Sequence, residues 1–399
     1  MIAAMGPSPD LARRLCTLSA AAPVVRVLPH AWVVGGAVRD LLLGRGASVV
    51  DLDLIIEGDA LEAAARLSAA LNGSLAVHDR FGTATVSAGG RVYDLATARA
   101  ETYPRPGALP DVRPGTIAED LARRDFTVNA IAVALDGRVK AAPHAFSDLD
   151  ARLLRVLHER SFVDDPTRLL RLVRYATRLG FGVEAATRRS MEAALAGAAL
   201  ATVTPARIGS ELRLLLCEPS AVEALAWVAE WPLGVPLAVD RGLTERALAL
   251  LPSDGRGDLL LLGAACRAVE RAALAAWLDA LGFPGRERDV VVAVARAEGV
   301  ERRLSRASRS SEIAAAARDV PIEAVAFAGA LGAGPAARAW IHDLRRVTLE
   351  IDGADLLAAG IPQGEAVGRA LAAALRARLD GEAPDRDAQL AVALAAARG

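Results

Sequence analysis

The stretch WVVGGAVRDLLLGRGASVVDLDLIIE, residues 32–57, decides the fold of this chain. An apolar run ends at Gly35 and Gly36, a helix start carrying Arg39 follows, and a second apolar run closes the stretch. This order predicts a strand, a glycine turn, a helix and a second strand. Glycines let a backbone approach a ligand closely, and the N–H groups at a helix start can hold phosphate oxygens. We therefore expect an anion at the turn, with Arg39 as a fixed cation beside it.

The second strand carries two aspartates, Asp51 and Asp53, one residue apart. Because side chains alternate between the faces of a strand, both carboxylates should face one way while Leu52 and Leu54 face the core. Parallel carboxylates suit Mg²⁺, and with a third carboxylate they can hold two metal ions about 4 Å apart. A strand that ends in a solvated turn with surface aspartates has the same pattern, so the pair alone leaves both interpretations open.

Asp94 is the candidate for the third carboxylate. A helix is predicted at residues 60–71, capped by Gly58-Asp59 and ended by Asn72-Gly73. After it, alternating residues predict three more strands, at 75–77, 82–86 and 91–95. Pairing among these strands would bring Asp94 beside Asp51 and Asp53. A strand-end aspartate that only forms a turn is the alternative.

Charged residues also mark a predicted helix-to-strand junction at RRDFTVNAIA, residues 123–132. Arg123 and Arg124 supply two cations that can meet the phosphates of a nucleotide. The carboxylate of Asp125 can accept a hydrogen bond from a ribose hydroxyl, which favours ribonucleotides. An exposed charge cluster is the other interpretation.

A basic helix is predicted in FVDDPTRLLRLVRYATRLGF, residues 162–181, with Asp164 as N-cap and Pro166 in the first turn. Asp165 and Arg168 lie three residues apart, so they project together and can read the edge of a base. Four arginines fall on one stripe without interleaved acids, which indicates a phosphate or RNA ligand unless the face is simply solvated. They are Arg168, Arg171, Arg174 and Arg178.

Together these stretches resemble the class II tRNA nucleotidyltransferase and poly(A) polymerase family, a branch of the polymerase β nucleotidyltransferase superfamily. GGAVRDLLLG followed by DLDL is similar to the first motif of the family, and RRDFTVNA is similar to its second, RRDFTxNA. DDPTR, residues 164–168, resembles its fourth motif, EDxxR, with Asp in place of Glu. TPARIGSELRLLL, from Thr204, resembles its fifth motif, which stabilises the neighbouring helix.

The third motif of the family, D-P-x-G-G…D-L…R, is matched only in part by residues 140–157. Asp148 and Arg155 fit, but Ala142 replaces the leading aspartate and the glycine pair is missing. This segment acts as a hinge in the family, so the departure concerns hinge motion and leaves the metal site unaffected.

The resemblance implies an α+β fold, with an N-terminal polymerase β-type nucleotidyltransferase domain built on a mixed sheet with helices, followed by all-α domains. The predicted domains are a catalytic head (1–142), a neck that recognises the base (143–218), a body (219–345) and a tail that binds tRNA (346–399).

Elsewhere, hydrophobic periodicity predicts the helices, and Pro or Gly residues between the periodic segments predict where they end. A short helix is expected at about 10–21, and residues 103–115, with four prolines and two glycines, predict a loop. Helices are expected at 187–195, 205–216, 221–229, 243–251, 259–281, 288–297 and 311–317.

The resemblance also implies an RNA-binding transferase of tRNA processing, which adds C, C and A to the tRNA 3′ acceptor end from CTP and ATP, with Mg²⁺ as cofactor and release of pyrophosphate. The implied catalytic residues and metal ligands are Asp51, Asp53 and Asp94. The implied nucleotide-binding residues are Gly35, Gly36, Arg39, Arg124, Asp125, Asn129, Asp165, Arg168, Arg171 and Arg174.

Several alternatives remain open at the level of sequence. The same scaffold supports enzymes that add only CC or only A, and poly(A) polymerases. A catalytically silent RNA-binding protein is the alternative from another class. The pair His342 and Asp343 resembles that of HD phosphohydrolases, but the further spaced ligands of such a site are not evident.

Composition describes a globular chain, since 53% of its 399 residues are hydrophobic and 24% charged. A net charge of −1 means that any RNA surface must be a local patch. Cys16, Cys217 and Cys266 lack metal or disulfide spacing, so we expect small core residues in a reducing compartment. No signal pattern or membrane-length apolar run occurs, which predicts a cytoplasmic protein without a membrane partner or an evident obligate protein partner.

Overall fold

The computed structural model describes residues 9–18, 20–46, 49, 51–78 and 82–398. The chain forms two compact units, Met1–Ile208 and Gly209–Gly399. The first unit is built on a mixed β-sheet with helices, and the described residues of the second unit are helical or in connecting segments. The α+β fold class predicted from the sequence is therefore confirmed. The finer division into head, neck, body and tail stays a prediction.

Seven strands among the described residues form the main sheet, in the spatial order β3-β4-β5-β2-β1-β8-β9. The strands β2 and β5 pair in parallel, and the other neighbours pair antiparallel. The seven are β1 (Trp32–Val34), β2 (Leu52–Ile56), β3 (Ser74–His78), β4 (Thr83–Ala88), β5 (Arg91–Thr97), β8 (Ile131–Ala134) and β9 (Val139–Ala141). The two-stranded pairs are β6 (Arg99–Thr102) with β7 (Asp111–Pro114), and β10 (Leu153–Leu154) with β11 (Gly182–Val183).

Helices cover the sheet and continue the chain beyond it. They are α1 (Pro9–Cys16), α2 (Ala21–Val27), α3 (Gly36–Leu42), α4 (Ala60–Leu71), α5 (Ile117–Ala122), α6 (Ala145–Asp150), α7 (Ser161–Asp164), α8 (Thr167–Leu179), α9 (Ala185–Ala196) and α10 (Pro205–Leu216). The predicted order of strand, glycine turn, helix and strand within residues 32–57 is confirmed by β1, α3 and β2.

One face of the main sheet is apolar at one end and acidic at the other. Trp32 and Ile55 share this face with Val34 and pack against Ile117 of α5 in a buried cluster. Val34 lies opposite Asp53 in the β1–β2 register, so Asp53 lies on the same face. The carboxylate therefore stands next to the helix-covered core, in the part of the face that stays open.

The helix predicted at 60–71 is confirmed as α4, and so are its end signals. The Asp59 carboxylate accepts from the backbone N–H groups of Leu61 and Glu62 at 2.8 and 3.1 Å, which satisfies donors at the helix start. Asn72 ends the helix in the left-handed conformation, with φ of 49°.

Two predictions about local structure in the first unit were wrong. The helix expected at 10–21 ends at Cys16, because the chain turns at Thr17, whose hydroxyl donates to the carbonyl of Arg14. Within the segment expected to be a loop, 103–115, β7 pairs antiparallel with β6. All four residues of β7 are exposed and Pro114 is its last residue, where a missing N–H is tolerated.

The second unit contains the helices α11 (Ala221–Val228), α12 (Arg241–Leu250), α13 (Gly257–Ala265), α14 (Arg271–Ala280), α15 (Gly285–Ala295), α16 (Glu298–Arg306), α17 (Ser310–Ala317), α18 (Ile322–Ala328), α19 (Gly334–His342), α20 (Gly353–Ala358), α21 (Glu365–Leu379) and α22 (Arg386–Arg398). Its larger core surrounds Phe327 and Trp340, and a smaller one surrounds Leu356. None of the described helices has the length and apolar character needed to cross a membrane.

The single helix expected at 259–281 was wrong, since α13 and α14 are separate. The chain turns after Cys266, whose carbonyl accepts a hydrogen bond from the Val269 N–H. The Glu270 carboxylate then caps α14 by accepting from two backbone N–H groups of its first turn. The cysteine prediction holds for Cys266, which is buried and whose thiol pKa is raised to about 12 by burial. It is wrong for Cys217, which is exposed directly after the end of α10.

Candidate active site

Asp53 and Asp94 lie side by side on one face of the sheet. They are direct partners in the parallel β2–β5 register, and Thr85 lies opposite Asp94 in the β4–β5 register. Leu52 and Leu54 are 1% and 0% exposed while Asp53 is exposed, which matches the predicted alternation along β2. The sheet therefore brings two of the three predicted carboxylates together.

Asp51 lies one residue before β2 and is exposed. One of its carboxylate oxygens accepts a hydrogen bond from the Val92 N–H at 3.1 Å, at the start of β5. Among the described residues, no group of three His, Cys, Asp or Glu side chains converges as a metal site does. The placement of Asp51 in the same metal site as Asp53 and Asp94 stays a prediction.

The pKa of the Asp53 carboxyl is raised above its ordinary value. Desolvation by the surrounding protein raises it most, the Arg124 cation lowers it, and the negative charges of Asp94 and Asp51 raise it further. Carboxylates that disfavour one another's charge in this way are stabilised by a cation between them. The hard oxygen donors of this cluster fit Mg²⁺.

The glycine turn adjoins this carboxylate. Gly35 has φ of 68°, and a Cβ there would lie 3.3 Å from Nη1 of Arg124 and 3.4 Å from Oδ2 of Asp53. Only glycine combines this backbone conformation with so close an approach. The turn, Asp53 and Arg124 therefore occupy one small region, next to a cavity of about 360 Å³ that Asp53, Asp94, Thr85 and Arg124 help to line.

Arg39, expected to be a fixed cation for an anion at the turn, is buried and bound to other residues. It is 1% exposed, its Nη1 donates to Oδ1 of Asn129 at 2.7 Å, and its Nε donates to Asp40 at 2.9 Å. Its guanidinium also stacks over the ring of Tyr175 at 5.5 Å. Arg39 is thus an internal brace behind the turn, and direct binding of an anion by Arg39 stays a prediction.

Asp125 is buried, which excludes the exposed charge cluster considered from the sequence. It is 6% exposed, and its oxygens accept from Arg171 Nη2 at 2.6 Å, Asn129 Nδ2 at 3.1 Å and the Phe126 N–H at 2.8 Å. Burial works against its charge, but Arg171, Asn129 and the Phe126 N–H together hold its pKa below the ordinary value. Arg39, Asn129, Asp125 and Arg171 therefore form one continuous polar chain.

The start of the basic helix also differs from the prediction. Asp164 is the last residue of α7 and does not cap α8, which begins at Thr167 after Pro166. The carboxylate of Asp165, the residue before Pro166, bonds the first residue of the helix instead, accepting from the N–H of Thr167 at 3.2 Å and from its hydroxyl at 2.7 Å. The proline keeps Asp165 extended, which leaves its carboxylate free to turn back onto the helix.

Asp165 and Arg168 lie together as their spacing predicted, with 4.0 Å between Nε and Oδ2. Each is held by other groups. Arg207 Nη2 donates to Asp165 at 2.9 Å. Arg168, 4% exposed, donates to the hydroxyl of Ser161 and to the carbonyl of Arg123, both at 2.6 Å. The pair that is expected to read a base is therefore held in one arrangement.

The arginine stripe of α8 is less exposed than expected. Arg174 is 8% exposed, Arg171 pairs with Asp125, and Arg178 is exposed. The ring of Tyr175 lies within 5.8 Å of the guanidinium carbons of these three arginines. An acid from another segment and an aromatic face thus offset part of the repulsion that the stripe would otherwise create.

Several residues of this region were missed by the sequence reasoning. Asp120, which is fully buried, binds both Arg123 and Arg124, and Glu101 binds Arg123 at 3.0 Å. Tyr175 and Arg207 were missed too. Asp120 had a usable signal, because it precedes the two arginines by three and four residues at the end of a predicted helix.

Comparison with known proteins points in one direction. Residues 31–155 match the poly A polymerase head domain. An A-adding tRNA nucleotidyltransferase of Halalkalibacterium halodurans is 44% identical over 203 residues, which cover 49% of this chain and 47% of that protein. CC-adding and CCA-adding enzymes also match. The chain spans less than half the length of the A-adding relatives that it matches.

Solved structures resemble the chain along most of its length. An apo form of a CCA-adding enzyme has a TM-score of 0.76 at 27% identity, with 97% of this chain and 96% of that chain covered. The CCA-adding enzyme of Thermotoga maritima, complexed with tRNA, has a TM-score of 0.70 at 27% identity and covers 99% of this chain and 97% of that chain.

Proposed function

We propose that this chain is a member of the class II tRNA nucleotidyltransferase and poly(A) polymerase family and that it adds C, C and A to the 3′ end of tRNA from CTP and ATP without a nucleic-acid template. The observation that carries the proposal is the placement of Asp53 beside Asp94, next to the Gly35 turn and Arg124.

The free cysteines fit a reducing compartment, which supports a cytoplasmic site of action.

Enzymes of this family generally use divalent metal ions, and we assign Mg²⁺ to Asp53 and Asp94, with Asp51 as the third carboxylate. When bound there, Mg²⁺ would supply charge stabilisation for the transferred phosphoryl group and activation of the primer hydroxyl. The fit rests on hard oxygen donors on adjacent strands that face one cavity, and on the pKa of Asp53, which desolvation raises most and the charges of Asp94 and Asp51 raise further.

The chain itself binds and orients the nucleotide in this proposal. Arg124 and the Gly35–Gly36 turn lie next to Asp53 and would hold the triphosphate, because guanidinium and backbone N–H groups both donate to phosphate oxygens. The buried chain that includes Asp125 and Asn129 would hold the ribose region, with Arg39 and Arg171 bracing it.

Base choice is assigned to Asp165 and Arg168. A carboxylate accepts from the amino group of C or A, and a guanidinium donates to ring nitrogens and carbonyls, so the two side chains together replace a template base. Both are held by neighbours, Asp165 by Arg207 and Arg168 by Ser161, which gives the pair the fixed geometry that discrimination requires. Arg174, nearly two turns further along α8, would support the pocket.

A second candidate is addition of A alone to a tRNA that already ends in CC. It is favoured by the names of three relatives, which are 44%, 40% and 32% identical over the aligned residues and are A-adding enzymes. Full CCA addition is favoured by the solved CCA-adding structures, which this chain resembles over 97% and 99% of its length.

The deciding experiment incubates the protein with Mg²⁺ and tRNA transcripts that end at the discriminator base or at CC. CTP and ATP are supplied singly and together, and products are read at single-nucleotide resolution. Addition of three nucleotides followed by a stop supports the CCA proposal. Extension of only the CC-ended transcript by one A supports the second candidate, and a stop after two C identifies a CC-adding enzyme.

Two further outcomes contradict both candidates. A long ladder of A indicates a poly(A) polymerase. Absence of extension, with tRNA binding that does not respond to Mg²⁺, indicates a silent RNA-binding protein.

A further inference from the structure

Asp120 is a fully buried carboxylate in α5 that holds two consecutive arginines. Its Oδ1 accepts from Nε and Nη2 of Arg123 at 3.0 and 2.6 Å. Its Oδ2 accepts from Nε and Nη2 of Arg124 at 3.3 and 3.0 Å. Asp120 is 0% exposed, and a buried charge is tolerated only when it is paired and hydrogen-bonded in this way.

One of these two arginines, Arg124, extends to the predicted catalytic carboxylates. Arg124 uses Nε and Nη2 on Asp120, which directs its remaining Nη1 toward the glycine turn, where it lies 3.3 Å from the position of a Cβ on Gly35. The same guanidinium lowers the pKa of Asp53. Asp120 therefore fixes the direction of the cation nearest to the proposed triphosphate position.

The other arginine, Arg123, contacts Arg168 of the pair that is assigned to the base. Arg123 is held by Asp120 and also donates from Nη1 to Glu101 at 3.0 Å. Its backbone carbonyl accepts from Nη2 of Arg168 at 2.6 Å. A shift of the Arg123 backbone would move the carbonyl that fixes the guanidinium of Arg168, and the binding of the Arg123 side chain to Asp120 and Glu101 restrains that shift.

We propose that Asp120 is a positioning residue that sets Arg124 against the triphosphate and Arg168 against the base at the same time. The inference rests on the proposed function. An arginine side chain has many rotamers, and fixing it before the ligand arrives removes an entropic penalty from binding. One buried carboxylate that orders the arginines on both sides would make nucleotide binding tight. It would also keep a constant distance between Arg124, which binds the phosphates, and Arg168, which binds the base.

The competing explanation is a purely structural ion cluster that only stabilises α5. Asp380 provides a matched control in the second unit, because its side chain is 7% exposed and it accepts from Ser311 and Arg309. Asp380→Asn also removes the charge of a carboxylate that binds an arginine and a serine, but it does so outside the proposed site.

The test compares Asp120→Asn, Asp120→Glu and Asp380→Asn with the wild-type protein. Binding of CTP and ATP is measured by calorimetry without RNA, KM and kcat by tRNA extension, and stability by thermal unfolding. We expect Asp120→Asn to raise Kd and KM for both nucleotides at least about ten-fold, the effect of one lost charge-assisted interaction, and to change kcat less. Asp120→Glu should restore part of the affinity, and Asp380→Asn should lower the melting temperature without a change in Kd.

Wild-type nucleotide affinity in Asp120→Asn would overturn the inference, and so would an equal loss of affinity in Asp380→Asn. If Asp120→Asn does not fold by circular dichroism, Glu101→Gln replaces it, since it weakens the hold on Arg123, together with that on Arg99 and Tyr103, and leaves Arg124 bound to Asp120. Weaker nucleotide binding in that variant supports the inference, and unchanged binding overturns it. A wild-type protein that binds nucleotides but extends no tRNA contradicts the proposed function and leaves the binding test of Asp120 intact.

Discussion

The hydroxyl of Thr85 donates a hydrogen bond of 2.6 Å to Oδ1 of Asp94, its direct partner in the β4–β5 register. This bond occupies one oxygen of the carboxylate and directs the other. His78 in turn lies 3.3 Å from the Thr85 hydroxyl through Nε2. The orientation of Asp94 is thus set by the strand next to its own.

We predict that Thr85→Val weakens metal binding. Loss of one oriented hydrogen bond to the carboxylate should raise the Mg²⁺ concentration for half-maximal extension roughly ten-fold, the lower range for loss of an outer-shell partner. Binding of Mn²⁺ to the protein alone, measured by electron paramagnetic resonance, should weaken in parallel. Thr85→Ser keeps the hydroxyl and should behave as wild type, and Thr83→Val, two residues away on the same face, should have little effect. Equal metal affinity in Thr85→Val and Thr83→Val would show that the bond has no such role.

Asp53→Asn should abolish extension and stabilise the metal-free protein. Removal of a direct metal ligand is expected to lower kcat by more than about 100-fold, since loss of outer-shell partners alone costs up to that factor. The folded-state pKa of Asp53 is raised, so the folded protein holds its proton to higher pH than the unfolded chain does. Its stabilising contribution is therefore present below the ordinary carboxyl pKa and is lost as pH rises through the raised value.

At neutral pH in a chelator, Asp53→Asn should consequently melt at a higher temperature than wild type, and the difference should shrink in acid. Asp136→Asn, at a turn far from the carboxylate pair in sequence, serves as the control for activity. A variant that is both active and less stable at neutral pH would contradict the assignment of Asp53.

Arg168→Lys should impair base selection more than catalysis. Lysine keeps the charge but cannot present the planar fork that donates to Ser161, to the Arg123 carbonyl and to a base at once. We expect discrimination of CTP and ATP against UTP and GTP to fall about ten-fold or more, the equivalent of one lost directional hydrogen bond. Single-nucleotide incorporation assays with each nucleotide give the ratio. Arg178→Lys changes an exposed arginine of the same helix and should leave the ratio unchanged.

Gly107→Ala should detach the segment between β6 and β7. Gly107 has φ of 68°, and a Cβ there would overlap the hydroxyl of Thr202 and lie 2.6 Å from its carbonyl oxygen. The Gly107 carbonyl also accepts from Arg207 at 2.8 Å, which links the segment to the residue that holds Asp165. We expect a loss of about 1–3 kcal/mol in stability from strain and overpacking.

Urea unfolding should measure that loss for Gly107→Ala, and limited proteolysis should cut within 103–110 faster than in wild type. Gly137→Ala is the matched control, because Gly137 has φ of 104° with nothing within 4 Å of an added Cβ. If both variants lose the same stability, backbone strain rather than the contact with Thr202 explains the effect.

Local signals were enough to predict the parts of the fold that depend on short-range rules. Alternation along β2, the glycine turn and the caps at Asp59 and Asn72 all follow from neighbouring residues, and the structure agrees with them. The errors occurred where tertiary contacts decide. Cys266 begins a turn inside an apolar helical run, and β7 is a strand only because β6 lies beside it.

The candidate site shows the same limit. Spacing predicted that Asp165 and Arg168 would lie together, but it did not predict that Arg39 is buried against Asn129 or that Asp125 pairs with Arg171. Those partners are remote in sequence, and a single sequence carries no signal for which distant charge will neutralise a buried one. Asp120 is the exception, since its partners lie within one helical turn.

The parallel pairing of β2 with β5 also constrains when the proposed carboxylate pair can form during synthesis of the chain. Asp53 and Asp94 come from strands that α4, β3 and β4 separate along the chain, and such non-local parallel pairings form slowly because closing the intervening loop costs entropy. A nascent or partly folded chain therefore has no assembled carboxylate pair. The proposed metal site is thus assembled by the sheet as a whole and by no single segment of the chain.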